Sequence, residues 1–333
     1  MKLSILIAAY NVEKFIKKCI LSCASQNLEV TTYEIIVVND GSTDGTLNLL
    51  ENLKKEITNL VVINQNNSGL GAARNTALKH AKGEYVWFID GDDYIAKNSL
   101  TEILSAIALN KLEVLVLNYE VVNDNGITLV TNANNIELNQ LIITGAEFYE
   151  KNYSKSYSWT FVFKKSVFID HKLWFKERIN MQDSEIMPKL MIHIQRLSFL
   201  KSTCYYYVQQ INSFTNTTSG EKRFKYFESI IEVKESLELF LENEAKNNLQ
   251  IKNGLVGKIE GLHQIVFNHL LFFRYEKEWL LKIIQLLKQH NFYPLQHKAT
   301  GKMKIIKLSL NHQPIATKWV IDKIQKLKKI KTS

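Results

Sequence analysis

The first 120 residues alternate short apolar runs with helix-period patterns, and this alternation constrains the fold more than any other feature of the chain. Leu3–Ala9 is an apolar run of the kind expected of a parallel strand covered on both faces. Val12, Phe15, Ile16, Cys19, Ile20 and Cys23 then recur at helical spacing. Glu34–Asn39 predicts a second strand, Leu60–Asn64 a third, Glu84–Asp90 a fourth and Glu113–Tyr119 a fifth. Ser42, Thr43 and Asp44 can cap a helix whose apolar face is Leu47, Leu50, Leu53 and Ile57, and a further helix runs from Gly71 to about Ala81. Repeated βα units predict an α/β fold with a parallel sheet and helices on both faces. Ligands of such sheets bind at the carboxyl ends of the strands, so that edge is where chemistry is expected.

Further along, Asn123-Asp124-Asn125-Gly126 is a turn signal, and Ser156–Lys164 and Thr203–Gln209 read as strands. From about Glu221 long helical patterns and frequent lysines take over. This change predicts two domains, residues 1–220 carrying the nucleotide and the chemistry, and residues 221–333 forming a helical extension. The chain has 333 residues and is 46% hydrophobic, enough for a sizeable core. Its formal charge of +9 points to an anionic partner without choosing among nucleic acid, an acidic membrane and a phosphorylated substrate. Cys19, Cys23 and Cys204 give no disulfide framework and suit a reduced, cytoplasmic setting. The apolar N-terminus reads as a buried strand rather than a signal peptide, and no stretch approaches the roughly 20 apolar residues that span a bilayer.

Three polar loops should leave the carboxyl ends of the early strands: Tyr10-Asn11, Asp40-Gly41-Ser42-Thr43-Asp44-Gly45-Thr46 and Asp90-Gly91-Asp92-Asp93. A carboxylate cluster at a strand end is costly unless something neutralises it, and Mg²⁺ or Mn²⁺ would do so through oxygen ligands. A metal held by one or two carboxylates completes its shell with substrate phosphates, so Asp90–Asp93 reads as a diphosphate–metal site. Asp-Gly-Asp-Asp can equally be an ordinary turn; its place after a buried strand favours function. Arg74 falls in the first turn of its helix, where the helix dipole does not favour a cation. It is either a surface salt bridge or an arginine aimed at the ligand.

The ordered set Ala8-Ala9-Tyr10-Asn11, Val38-Asn39-Asp40-Gly41-Ser42-Thr43-Asp44, Asn67-Ser68-Gly69-Leu70-Gly71-Ala72-Ala73-Arg74-Asn75 and Phe88-Ile89-Asp90-Gly91-Asp92-Asp93 resembles family 2 glycosyltransferases of the GT-A fold, inverting bacterial enzymes of capsule and lipopolysaccharide synthesis. The resemblance is strong over about residues 1–120 and fades by about 210. It implies a UDP-sugar donor, a glycan or lipid-linked glycan acceptor, and Mn²⁺ or Mg²⁺. It implies that Tyr10 and the adjacent backbone of Ala9 flank the nucleotide base, that Asp40 hydrogen-bonds the base, and that Arg74 binds near the base or phosphates. Asp90, with Gly91 beside it, would contact ribose or donor sugar, and Asp92 would be the main metal ligand with Asp93 beside it.

The family often places a tryptophan on a strand ahead of a Glu-Asp pair that includes the catalytic base. Here Trp159 is followed by Phe175-Lys176-Glu177 and Met181-Gln182-Asp183, so the first acid of the pair is missing. Asp183 takes the position of the base, with a helix cap as its other reading and Glu177 and Glu185 as fallback bases. Glu177 and Trp159 are the acceptor-side candidates; Trp159 is either a sugar-stacking floor or core packing. His193 could add a metal ligand, yet a lone helical histidine is more often structural.

A sugar-phosphate nucleotidyltransferase is the competing enzyme, but its glycine- and lysine/arginine-rich loop after strand one is replaced here by Tyr10-Asn11-Val12-Glu13. A non-catalytic basic module on membrane or nucleic acid is the other alternative. The basic residues concentrate in the helical tail rather than among exposed aromatics, which argues against nucleic acid. Lys318–Lys331 carries Trp319, Val320, Ile324, Leu327 and Ile330 among lysines. That pattern fits a helix lying on an anionic bilayer, at the inner face of the plasma membrane, or one packed on the catalytic domain.

Overall fold

A computed structural model describes residues 1–134, 142–209 and 219–332, with side chains up to residue 323. The chain divides into two compact units, Met1–Ser213 with Asn248–Ile251, and Phe214–Asn247 with Lys252–Ser333.

The first unit is a mixed sheet flanked by helices. Its strands are β1 (Leu3–Ala9), β2 (Tyr33–Asp40), β3 (Leu60–Gln65), β4 (Tyr85–Asp90), β5 (Tyr94–Ile95), β6 (Val114–Val122), β7 (Thr128–Val130), β8 (Phe161–Lys164) and β9 (Leu197–Val208). The helices are α1 (Ile16–Ala24), α2 (Thr46–Glu56), α3 (Leu70–His80), α4 (Ser99–Asn110), α5 (Gly145–Asn152), α6 (Ser166–Asp170) and α7 (Gln182–Met191). The sheet order is β3-β2-β1-β4-β8-β6-β9-β5, with β7 paired to β6. β3, β2, β1 and β4 are mutually parallel, each joined to the next in sequence through a crossover helix. Leu3, Ile5 and Ile7 of β1 are fully buried and share one core with Ile35, Val37, Trp87 and Ile89 of its two neighbours.

The parallel core expected from the βα pattern, in a Rossmann-like GT-A sheet, is present from β3 to β4, and beyond β4 the sheet becomes mixed. β8 inserts between β4 and β6 and runs antiparallel to both. The fifth expected strand is therefore two places removed from β4, because hydrophobic periodicity reports burial and not strand direction or partner. Only Phe161–Lys164 of the expected strand at 156–164 is extended; Ser158–Thr160 is a single 3₁₀ turn. β9 starts six residues before the expected Thr203, polar Ser198, Lys201 and Ser202 having hidden its first half.

The second unit consists of helices α8 (Gly220–Asn243), α9 (Leu249–Phe272), α10 (Lys277–Gln289), α11 (Gly301–His312) and α12 (Pro314–Thr332). Phe227, Ile230, Leu237, Leu262, Val266, Ile283 and Leu287 are buried within it. Among the described residues no helix is long and apolar enough to cross a membrane. The side chains of Ile324, Leu327 and Ile330, and of Lys331, lie outside the described residues.

Candidate active site

Strand register assembles the site. Ala8 sits opposite both Val38 and Asp90, and Asp40 opposite Gln65, so the loops after β1, β2, β3 and β4 open on one sheet edge. The first two loops are laced together. Asn11, at φ 52°, accepts from the Thr43 N–H at 2.8 Å and donates its own N–H to Ser42 Oγ at 3.0 Å. The Val12 N–H donates to Thr46 Oγ1 at 3.0 Å, and Glu13 Oε2 accepts the Gly45 N–H at 3.0 Å. Tyr10, half exposed at the tip of this scaffold, follows buried Ala9. The N-cap of α2 is Gly45 and carries no side-chain cap bond; Asp44, one residue earlier, accepts the Thr46 N–H through Oδ1 at 3.1 Å.

Asp40 does local work not visible in the motif. Its Oδ1 accepts from Gln65 Nε2 at 2.7 Å and the Ser68 N–H at 2.9 Å, and its Oδ2 accepts the Gly69 N–H at 2.8 Å. The carboxylate thus holds the loop that launches α3. Gly41, at φ 69°, lets the two loops touch: a Cβ there would lie 2.7 Å from the Asn67 backbone nitrogen.

Arg74 decides the site. It is 2% exposed, which rules out the surface salt bridge. Its Nη2 donates to Asp90 Oδ1 at 2.7 Å and its Nη1 to Asp183 Oδ1 at 2.5 Å. One guanidinium therefore joins the acidic turn after β4 to the acid proposed as base, 109 residues away in the chain. α3 comes close enough for this because it is built of small residues. A Cβ on Gly71 would lie 2.5 Å from the Lys176 carbonyl oxygen. Asn75 completes the clamp: its Nδ2 donates to the Phe175 carbonyl and its Oδ1 accepts the Phe175 N–H, both at 2.9 Å. Gln182, the residue in place of the missing acid, accepts from Arg74 Nη1 at 3.1 Å with its amide turned to satisfy both ends. The neutral amide oxygen therefore supplies a further acceptor for the buried cation.

Asp183 lies in the first turn of α7, but the N-cap position belongs to Met181, at φ 62°, with no side-chain cap bond. The carboxylate instead faces Arg74 and the Ser158 N–H, which it accepts at 3.4 Å. Burial raises the Asp183 carboxyl above the usual range, and the Arg74 charge offsets part of the rise. A carboxylate with a raised pKa is a stronger base than a free aspartate.

The acidic turn splits into different roles. Asp90 faces Arg74, while Asp93 turns inward, accepting from the Tyr205 hydroxyl at 2.5 Å and the Val208 N–H at 2.7 Å. Asp93 thus ties the turn to β9 and does not stand beside Asp92 as a second ligand. Asp92 is pushed up to about 6, first by burial and then by the Asp90 charge. Excess negative charge of this kind is what a hard cation relieves. Among the described residues no group of three or more His, Cys, Asp and Glu side chains is gathered around one point. The residues present therefore fit a cation shared between Asp92 and substrate phosphates rather than a closed protein cage. Gly91 packs its Cα against the strand, where an added Cβ would lie 3.0 Å from the Ala8 carbonyl oxygen.

On the acceptor side the floor reading of Trp159 is corrected. The ring is 5% exposed, stacked on Tyr205 at 4.5 Å and on Tyr157 at 5.5 Å, with Tyr119 edge-on at 4.7 Å. Its aromatic faces are already occupied. The aromatic surface open to solvent is Tyr157, 50% exposed, which sequence reasoning missed because an isolated tyrosine in a turn carries no signal. Glu177 is exposed and 3.4 Å from Asn75 Nδ2, whereas Glu185 is buried and paired with Lys189 one turn along α7. His193 stacks on His171 with ring centroids 3.6 Å apart.

A parallel four-stranded half-sheet, an antiparallel insertion, and an acidic turn closing the strand next to β1 together define the GT-A class of nucleotide-sugar folds. Residues 4–172 match the family described as Glycosyl transferase family 2, and the chain belongs to that family. It is 32% identical over 212 residues to the poly(ribitol-phosphate) beta-N-acetylglucosaminyltransferase TarS of Staphylococcus aureus, covering 62% of this chain and 35% of TarS. It is also 32% identical over 219 residues to the uncharacterized glycosyltransferase EpsJ of Bacillus subtilis, covering 64% of this chain and 62% of EpsJ. The chain thus spans about a third of one relative and under two thirds of the other. The crystal structure of S. aureus TarS 1-349 in complex with UDP-GlcNAc shares the fold, with a TM-score of 0.65 at 22% identity over 98% of this chain and 92% of that one.

Proposed function

We propose that this chain is an inverting glycosyltransferase that moves a sugar from a UDP-sugar to an acceptor hydroxyl of a glycan or lipid-linked glycan. The observation that carries the proposal is the buried Arg74, which holds Asp90 of the acidic turn and Asp183 on adjacent nitrogens of one guanidinium. A transferase by single displacement needs a leaving-group site and a general base within reach of one reacting carbon, and the guanidinium shared by the acidic turn and Asp183 supports that reading. The base side is Asp183, taking the acceptor proton as the new bond forms. The leaving-group side is Asp92, with Asp90 and Gly91 beside it, where Mn²⁺ or Mg²⁺ supplies charge stabilisation for the departing diphosphate. Ala9, Tyr10 and the Asp40-anchored loop form the wall offered to the nucleotide base. TarS binds UDP-GlcNAc and is named for a β-linked product, which supports an inverting displacement on an α-linked UDP-sugar.

The test is Asp183→Asn in the full chain. Transfer should fall at least about 10²-fold with UDP-sugar affinity nearly unchanged, because the substitution keeps size and removes the basic oxygen. Near-normal turnover would move the base to Glu177.

A membrane-surface role for the second unit has its own support. On α11 and α12 Met303, Ile305, Leu308, Ile315, Trp319 and Val320 are all exposed, with Lys302, Lys304 and Lys323 interspersed. A half-wet aromatic among lysines suits an anionic bilayer surface. We assign this helix pair to peripheral attachment on the cytoplasmic face of the plasma membrane.

A further inference from the structure

A groove of about 650 Å³ opens between α1 and β5. Four lysines line it: Lys14 just before α1, Lys17 and Lys18 on α1, and Lys97 just after β5. Among the described residues no aspartate or glutamate lines the groove. Among the described residues none of the four ammonium groups is paired with a carboxylate. Lys18 instead lies over the Tyr94 ring at 3.5 Å, and that ring is backed on its own sheet by Tyr206 at 4.8 Å. Burial lowers the Lys18 amine from its ordinary value. A solvated lysine face of a helix is normally laced with acids one turn away. Here Lys14, Lys17, Lys18 and Lys97 border one concavity, the acid one turn before Lys17, Glu13, is engaged with the Gly45 N–H, and Lys18 packs on an aromatic face.

We propose that this groove is a subsite for the phosphate groups of a polyanionic acceptor, a phosphodiester-linked polyol or sugar chain. The inference deepens, and rests on, the transferase reading above. The charge argument selects the occupant. A neutral glycan gains nothing from four unpaired ammonium groups, and a single phosphate cannot meet cations spread over more than one helical turn from Lys14 to Lys18. A chain with repeated phosphates meets several at once, and each contact releases condensed counterions. The position serves the chemistry as well. Tyr94 and Lys97 follow the Asp90–Asp93 turn directly in the chain. A polymer anchored there by its phosphates is held to the enzyme independently of the hydroxyl being glycosylated. Binding energy from a remote, non-reacting part of the acceptor then contributes to orientation.

The experiment uses the full chain and the triple variant Lys14→Glu/Lys17→Glu/Lys97→Glu, leaving Lys18 on its tyrosine. The probes are a ribitol phosphate oligomer, a neutral oligosaccharide, inorganic phosphate, and vesicles containing an anionic phospholipid. The expected result is a rise of at least about tenfold in the Kd for the ribitol phosphate oligomer and a shallower dependence of that Kd on salt. UDP–Mn²⁺ affinity, UDP-sugar hydrolysis and vesicle binding should stay within about twofold of the parent. Unchanged oligomer affinity, or an equal loss for the neutral oligosaccharide, would overturn the subsite. So would a loss confined to vesicles, which would make the groove a lipid-headgroup site, or a loss confined to inorganic phosphate. The milder Lys17→Gln/Lys97→Gln variant should show an intermediate loss if charge reversal perturbs the fold. Absence of UDP-sugar hydrolysis in the parent counts against the transferase reading while leaving oligomer binding to judge the groove by itself.

Discussion

Replacing Arg74 with methionine tests the arrangement on which the site depends. Methionine keeps the apolar stem and removes the charge, so volume is nearly preserved. Arg74 is 2% exposed, and its two partners keep 27% and 17% of their side-chain surface in water. Breaking a buried ion pair by removing one partner typically costs about 3–5 kcal/mol, because the surviving charge is stranded. Partial solvation of both carboxylates places this case at the low end, about 3 kcal/mol. For a unit of this size that corresponds to a fall in Tm of roughly 6–12 °C. The pH dependence gives the sharper signature. The Asp183 carboxyl is raised in the folded protein by burial and restrained by Arg74, so losing Arg74 raises it further. A carboxyl raised above its unfolded value contributes stability that is present at low pH and lost as pH rises through the folded pKa. The Tm deficit of the variant should therefore grow from acidic to neutral pH. The acid limb of the transfer profile should move to higher pH, since the base stays protonated longer. Thermal unfolding followed by circular dichroism across that range, with transfer rates alongside, checks both. A variant with parental Tm at neutral pH, or with a deficit that shrinks as pH rises, would refute the reasoning.

Two further perturbations address separate parts of the molecule. Asp92→Ala should weaken Mn²⁺-dependent UDP binding at least about tenfold in calorimetry while leaving the metal-free Tm equal or higher, because a buried carboxyl crowded by Asp90 is removed; unaltered affinity would reassign the ligand. Deleting residues 316–333 should reduce binding to anionic vesicles and spare UDP-sugar hydrolysis, and unchanged sedimentation with vesicles would exclude the membrane role.

Much of the candidate donor edge was legible without a structure. The runs at Leu3–Ala9, Glu34–Asn39 and Glu84–Asp90 read as strands covered on both faces, and the helix patterns between them made parallel packing and a shared loop edge the expectation. The acidic turn and the small-residue start of α3 were equally plain. The acceptor side was less so. Trp159 read as either floor or core because an aromatic in a strand-like run carries no sign of which neighbours will stack on it, and Tyr205 and Tyr157 come from a distant strand and an adjacent turn.

What the sequence alone determined is therefore the set of elements whose reasons are local: strand burial, helix period, turn chemistry and a run of carboxylates at a strand end. What only tertiary structure decided is which of those charges meet. Asp40 closes on its neighbouring loop, Asp93 turns to Tyr205, and Asp90 and Asp183 converge on Arg74. Those outcomes depend on contacts up to 112 residues apart. A carboxylate in the chain carries the same sequence signal whether it will be solvated, buried against a tyrosine or held by an arginine. The difference lies in the local dielectric and the nearest partner, which exist only once the sheet and its helices have packed.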